Sequence, residues 1–325
     1  MKAAVIHELG TEEAFHYEDV EDPQAGPRQV LVRIKAASIN RGDLGRREGS
    51  YRGVTAAAKL PLILGWDVSG VIESVGEEVR DRRVGQKVVA TLASGGYAEL
   101  AAVSARGTVP FPDTLSFEEA ASVPIVFLTS WFALLKVAGL QEGETALVHS
   151  AGSGVGMAGI QIAKYAGARV ITTSSSGDKL DRARELGADD GVNYRQEDVL
   201  DRVMALTEGG GVNVALDGVG GENLAASIAS LAPLGRLVTV GNTSESPTTI
   251  DSGLLFQKTL TVHGFTLAGQ MVRGGVMPEL ARIMDLFGEG KFRAIVDRVF
   301  PLRQASEAHR YVSEGGQFGK VVLRP

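Results

Sequence analysis

The pattern of apolar and polar positions changes texture once along the chain. Before about residue 120 the apolar residues fall in short β-branched runs, QVLVRIKAASI (29–39), DVSGVIESVG (67–76) and QKVVATL (86–92), separated by glycine-containing breaks. Such runs predict strands, and their succession predicts a twisted, partly closed sheet rather than a parallel one. From Ser122 the apolar segments lengthen. SVPIVFLTSWFALLKVAGL (122–140) predicts a helix with Pro124 in its first turn and Gly139 near its end. Beyond it come short apolar strands, TALVHS (145–150), RVITTS (169–174), GVNY (191–194), VNVALD (212–217), RLVTVG (236–241) and LTVHGF (260–265). Helical segments lie between them, of which SGDKLDRARELGA (176–188) is the clearest. That alternation implies a parallel sheet with crossover helices, the doubly wound α/β architecture.

After about residue 266 the chain predicts a helix over MPELARIMDLFGEG (277–290), an extended piece AIVDRVFPL (294–302), another helix and a final strand, KVVLRP. These residues are too few for a third domain, so they are expected to complete the N-terminal one. The expected division is a β-rich domain of residues 1–123 and 266–325, with a dinucleotide-binding domain of residues 124–265 inserted in it.

Candidate chemistry starts at VHSAGSGVGMAG (148–159). The literal pattern G-x-G-x-x-G falls on Gly154, Gly156 and Gly159. A dinucleotide turn must follow its strand at once, which favours the register Ala151, Ser153 and Gly156 with Gly154 beside them. Val155, Ala158, Ile162 and Ala166 then form the buried stripe of a helix whose N-terminal amides would face a diphosphate. A glycine turn can serve packing alone; the five further alternating strands favour a dinucleotide. An NAD-selective site carries an acid about 20 positions on, at the end of the second strand. Here that place reads TTSSSGDK, with Thr172, Thr173, Ser174 and Ser175 uncharged, Lys179 following and Asp178 nearby. Hydroxyls and an ammonium suit a 2′-phosphate that a carboxylate would repel, so the reading is NADP(H); the alternative is a solvated polar loop with a helix cap.

Composition narrows the picture. A length of 325 residues favours two domains. A net charge of -6 with no Lys/Arg stripe predicts no nucleic-acid partner. The chain has no cysteine, hence no disulfide, thiolate nucleophile or cysteine-ligated zinc. The start, MKAAVIHELG, is too short an apolar stretch for a signal peptide, and no apolar run approaches the roughly 20 residues of a membrane span. A cytoplasmic setting and no membrane partner are expected.

Several segments now converge in order and spacing: AASINRGDLGRREGSY (36–51), LGWDVSGVIESVG (64–76), GGYAEL (95–100), SAGSGVGMAGIQIAKYAGARVI (150–171), LGADDGVNYR (186–195), LDGVGG (216–221) and GRLVTVGN (235–242). Over nearly its full length the chain resembles the medium-chain dehydrogenase/reductase superfamily, in its zeta-crystallin-like NADPH:quinone oxidoreductase branch. The resemblance implies a Rossmann domain inserted in a GroES-like catalytic domain, and a substrate that enters between them. It also implies homodimers or homotetramers joined through the last strands of the nucleotide domain, with 260–265 as that edge.

Zinc-dependent relatives place ligands where this chain has Arg41 or Asn40, Trp66 and Ile125, and the structural zinc lobe is missing. The histidines at 7, 16, 149, 263 and 309 are scattered, so no metal is expected. The resemblance places Asn40, Tyr51 and Thr129 at the nicotinamide, Thr129 being otherwise a packing residue of its helix. Tyr51 would be a proton donor to the acceptor oxygen or a wall of the pocket, and Asn40 a functional amide or a tie for its loop. Asp43 would support that loop. Ser153, Gly154, Val155 and Gly156 would meet the pyrophosphate, and Ser174, Lys179 and Tyr194 the adenosine phosphate. Gly241 and Asn242 would approach the nicotinamide, and Gly319 with Lys320 would make a closing contact, Lys320 being otherwise a solvated charge. The expected activity is metal-free hydride transfer from NADPH to a small hydrophobic quinone or enone. The alternatives are a double-bond reductase for enals or enoyl thioesters, and an NADPH-binding structural or RNA-associated protein.

Overall fold

The computed structural model describes residues 1–51 and 59–325. Its contacts group Met1–Ile125 with Gln270–Pro325 as one compact unit and Val126–Gly269 as another. No helix among the described residues is long and apolar enough to cross a membrane.

The first unit carries β1 (Lys2–Ile6), β2 (Phe15–Asp19), β3 (Gln29–Ser38), β4 (Leu62–Ile63), β5 (Asp67–Val75), β6 (Lys87–Thr91), β7 (Leu100–Ser104) and β8 (Thr108–Pro110). Strand β3 is its spine, antiparallel to β5 on one side and to β7 over its first half. Val30, Val32 and Ile34 alternate inward along it, against Ile72, Val88 and Leu323. The second unit carries β9 (Thr145–Val148), β10 (Arg169–Ser174), β11 (Asp190–Asn193), β12 (Val212–Asp217), β13 (Leu231–Thr239) and β14 (Thr261–Gly264). The chain then returns to the first unit with β15 (Val296–Pro301) and β16 (Lys320–Arg324). Strand β16 pairs antiparallel with β3, and β15 runs parallel to β16 through the crossover helix Ala305–Glu314. The C-terminal residues therefore extend the N-terminal sheet.

In the second unit the strands run parallel in the order β11-β10-β9-β12-β13-β14, the doubly wound order 3-2-1-4-5-6. A helix occupies each gap: Gly154–Tyr165, Gly177–Glu185, Val199–Leu206, Gly221–Ala229 and Ser252–Lys258. Leu147, Ile171, Val192, Ala215 and Leu237 supply one core residue from each of the first five strands. The strand order reverses between β9 and β12, which makes their C-terminal ends the switch point where ligands bind in such sheets.

The apolar stretch 122–140 is less uniform than its composition suggests. A short helix, Phe117–Ala121, ends before Pro124, whose ring and missing N–H open a new helix, Pro124–Trp131. This passes into a π-helical segment, Phe132–Val137, where Ala138 N–H donates five residues back to Ala133 O at 2.9 Å. Arg236 of β13 closes that end. Its guanidinium donates to Ala138 O at 2.9 Å and Gly139 O at 3.2 Å, and forks onto the two carboxylate oxygens of Glu144 at 2.8 Å each. The Arg236 hydrogen bonds hold the Glu144 carboxyl below the usual carboxylate range. Arg236→Met is expected to cost about 2 kcal/mol in denaturant unfolding. A depressed carboxyl pKa stabilises only above its unfolded value, so the deficit should shrink as pH falls below about 4.

Candidate active site

The second unit shapes a backbone cradle at the turn after β9. Strand β9 runs through His149 into Ser150, a non-glycine residue held at φ +60°. Neighbouring β10 holds this strained turn: Ser150 N–H donates to Thr173 Oγ1 at 3.3 Å and Ala151 N–H to Thr173 O at 2.9 Å. Ser153 caps the helix Gly154–Tyr165, its Oγ accepting Gly156 N–H at 2.9 Å. A Cβ on Gly156 would stand 2.1 Å from Ser150 O, and one on Gly159 would stand 2.9 Å from Leu216 Cδ2 and 3.0 Å from Val148 Cγ1. Gly156 thus lets the helix start cross the turn, and Gly159 lets the helix settle onto β9 and β12. Gly154 and Val155 occupy the first turn, where backbone N–H groups lack an intrahelical acceptor and the dipole favours negative charge.

The adenosine-end candidates gather at the ends of β10 and β11. Ser174 is buried, and its carbonyl accepts Tyr194 N–H at 3.1 Å, while the Tyr194 side chain is 51% exposed. Ser176 caps the helix Gly177–Glu185 by accepting Lys179 N–H at 3.4 Å. No carboxylate stands at the end of β10: positions 172–176 are Thr, Thr, Ser, Ser, Ser, and Asp178 is exposed in the helix beyond. Thr172 and Thr173, counted among the candidate phosphate hydroxyls, are engaged inside the sheet. Thr172 Oγ1 donates to Val148 O at 2.6 Å, and Thr173 Oγ1 lies 3.0 Å from His149 Nδ1.

Thr129 is buried on the helix Pro124–Trp131. Its neighbour Ser130, which the sequence reading did not single out, donates to Val155 O at 2.9 Å and ties that helix to the cradle. Gly241 and Asn242 follow β13, and their loop is stitched to the turn after β12 by Thr243 N–H to Gly218 O (3.2 Å) and Ser244 N–H to Val219 O (2.9 Å). Gly220, at φ +77°, has no room for a Cβ, which would meet Asn242 Oδ1 at 2.2 Å.

The first unit holds the remaining candidates in a buried polar cluster. Lys320 is 3% exposed, and its ammonium donates to Ile39 O at 2.7 Å and Asn40 Oδ1 at 2.6 Å. Asn40 Nδ2 donates to Asp67 Oδ2 at 3.0 Å, and Asn40 N–H donates to Asp43 Oδ2 at 2.9 Å at the start of the helix Arg41–Glu48. Asp67 Oδ2 also faces Ile125 N–H at 3.3 Å, whereas its Oδ1 is buried without a partner among the described residues. Burial pushes Asp43 up to about 6 and Asp67 up to about 7, and pulls Lys320 down to about 8. Gly319, at φ +110°, passes so close to Ile295 that a Cβ would stand 2.5 Å from its carbonyl oxygen.

Arg47, His309 and Tyr97, which sequence reasoning did not connect, extend the cluster. Burial, aided by Arg47, pulls His309 down to about 3, so the ring is neutral. Its Nδ1 accepts from Arg47 at 3.2 Å, its Nε2–H meets Tyr97 Oη at 3.1 Å, and the Tyr97 hydroxyl bonds Asp43. Tyr51 is half-buried and edge-on to Trp66 at 5.3 Å between ring centroids. Burial raises its phenol above the ordinary value, so it stays protonated at neutral pH.

Residues 26–113 match the family described as alcohol dehydrogenase GroES-like domain, and residues 154–284 the family described as zinc-binding dehydrogenase. A quinone oxidoreductase of Pseudomonas aeruginosa is 36% identical over 97% of this chain and 97% of its own length. A crystal structure of an NAD-dependent alcohol dehydrogenase superposes with a TM-score of 0.93 at 35% identity, covering 100% of each chain. The Escherichia coli quinone oxidoreductase complexed with NADPH superposes with a TM-score of 0.92 at 29% identity, again over 100% of each chain. Fold and cradle together define an oxidoreductase of the medium-chain dehydrogenase/reductase superfamily. Within it, the chain belongs to the quinone oxidoreductase-like family. Although one matching family is described by its zinc, no group of three or more metal-ligating side chains converges among the described residues, and the chain has no cysteine.

The polar cluster carries a pH signature. A carboxyl raised to about 7, against about 3.9 unfolded, makes the folded state bind the extra proton. Its stabilising contribution is fully present below about pH 4 and is lost as pH rises through 7. Asp67→Asn is expected to reduce the fall in stability between pH 4 and 7, read from denaturant midpoints across that range.

Proposed function

We propose that this oxidoreductase binds NADPH and directs its hydride to a small conjugated carbonyl, a quinone first, without a metal ion. The observation that carries the cofactor choice is the end of β10, where Ser174 and the serine cap replace the carboxylate of an NAD-selective site and Lys179 follows. The start of the helix Gly154–Tyr165, whose first backbone N–H groups lack an intrahelical acceptor, supports a bound diphosphate. In this reading the amides of Gly154 and Val155 hold the pyrophosphate, while Gly156, expected to offer its amide too, gives that N–H to Ser153 Oγ and shapes the turn beside them. Ser174, Lys179 and Tyr194 receive the adenosine phosphate, with Lys179 supplying the positive charge. Thr129, Gly241 and Asn242 orient the nicotinamide end, and Gly319 with Lys320 keeps Asn40 in place.

When bound, the cofactor supplies the hydride. The protein has to orient it and steady the negative charge that develops on the acceptor oxygen. Asn40, gripped at Oδ1 by Lys320 and at Nδ2 by Asp67, keeps one amide proton to offer. Tyr51 donates from its protonated hydroxyl to the acceptor oxygen, or serves as an apolar wall. An already polarised quinone needs little further acid catalysis, which favours it over a simple ketone. The chain is also proposed to self-associate through β14, an edge strand preceded by a helix with no buried residue and with Phe256 86% exposed.

The test is consumption of NADPH and NADH at the nicotinamide absorbance with 1,4-benzoquinone and with trans-2-hexenal. Faster NADPH oxidation with the quinone is expected; turnover of the enal alone would favour a double-bond reductase, and turnover of neither a binding protein. Lys179→Ala is expected to weaken NADPH about tenfold or more while leaving NADH nearly unchanged. Equal loss for both would remove the phosphate assignment.

A further inference from the structure

Four buried side chains, His149, Thr173, Ser227 and Asp217, link the turn after β9 to the turn after β12. Ser227 Oγ lies 2.8 Å from His149 Nε2, 3.0 Å from Asp217 Oδ2 and 2.7 Å from Asn223 O. The last two are acceptors and a serine hydroxyl has one proton, so the contact to the imidazole is Nε2–H donating to Ser227 Oγ. Burial holds the imidazole below its ordinary pKa, so the ring is neutral and Nδ1 is an acceptor. Nδ1 takes the hydroxyl proton of Thr173 at 3.0 Å, which turns the lone pairs of Thr173 Oγ1 toward Ser150 N–H. At the far end Asp217 Oδ1 accepts Val219 N–H at 2.7 Å and Gly220 N–H at 2.9 Å, and its Oδ2 accepts Asn223 Nδ2 at 2.7 Å. The hydrogen bonds therefore run in one direction, from the strained Ser150 turn to the carboxylate that shapes the β12 turn.

We propose that His149 is a positioning residue for cofactor binding: as an acceptor it fixes Thr173, and through Thr173 the phosphate-facing turn, in register with the Asp217-held turn across the switch point. The proposal rests on the reading of the glycine turn as a dinucleotide site. A plain core histidine would need only volume; this one is required for the lone pair at Nδ1. Substitutions that keep or remove an acceptor there separate the two roles.

The test uses the full chain, with NADPH as the probe. His149→Leu fills similar volume without an acceptor, whereas His149→Asn places Oδ1 near the position of Nδ1. The NADPH Kd from fluorescence titration should rise about tenfold in the leucine variant and stay within about twofold of wild type in the asparagine variant, the difference being one buried hydroxyl left without its acceptor. Without cofactor, amide exchange at Ser150 and Ala151 should quicken in the leucine variant and not in the asparagine variant, whereas at Val219 and Gly220, which the ring reaches only through Nε2–H, it should quicken in both. Equal losses in both variants, or none in either, overturn the proposal. Should His149→Leu fail to fold, Thr173→Val carries the same tenfold expectation, and an unchanged Kd overturns it. If the wild-type chain binds neither NADPH nor NADH, the cofactor reading fails by itself. Amide exchange then decides the coupling, and unchanged protection in the leucine variant ends it.

Discussion

The parallel pairing of β9 with β12 is the constraint on which the nucleotide unit depends. From that pair the sheet grows in opposite directions, through β10 and β11 on one side and β13 and β14 on the other. A sheet that reverses there leaves the carboxyl ends of its two central strands uncovered by a common crossover. The two turns at those ends become neighbours whatever their sequences. What the sequence adds is the shape of each turn: glycine at 156 and 159 where a Cβ would strike backbone or core, and Asp217 collecting the amides that follow β12. Holding Ser150 in a left-handed conformation is unfavourable by itself, and the bonds that Ser150 and Ala151 donate to Thr173 hold the turn.

The β-rich unit meets a different constraint. It encloses an ammonium and two carboxyl groups, whose desolvation is costly. The cost is limited by sharing: Lys320 bonds Ile39 O and Asn40, Asn40 bonds Asp67, and Asp43 takes amides from Asn40 and Gly65 together with the Tyr97 hydroxyl. The product is an amide side chain at position 40 with both ends gripped and little rotational freedom.

Much of the architecture was legible because it is written locally. The period of apolar residues located the strands of the parallel sheet and the helices between them. Glycines packed after an apolar run marked the turn that joins β9 to the helix Gly154–Tyr165. Strands β1 and β2 escaped notice because MKAAVI is brief and FHYED carries charge on an edge strand that needs only one apolar side. The break at Pro124 and the π-helical turn before Gly139 were hidden inside an unbroken apolar run, since composition does not record which carbonyl an amide chooses.

The sequence by itself determined the alternating strands and helices of the parallel sheet, their order and the glycine turn after the first of those strands, because hydrophobic period, proline and glycine act on the backbone within a few residues. Only the tertiary structure decided which polar groups share a site. Lys320 and Ile39 lie 281 positions apart and Arg47 and His309 lie 262 apart, yet each pair is within hydrogen-bonding distance. His149 offered no signal as one of five scattered histidines; its role emerged once Thr173 and Ser227 stood on either side of the ring. Charge, proton affinity and hydrogen-bond direction depend on distance and burial, and both come into being only when the chain closes on itself.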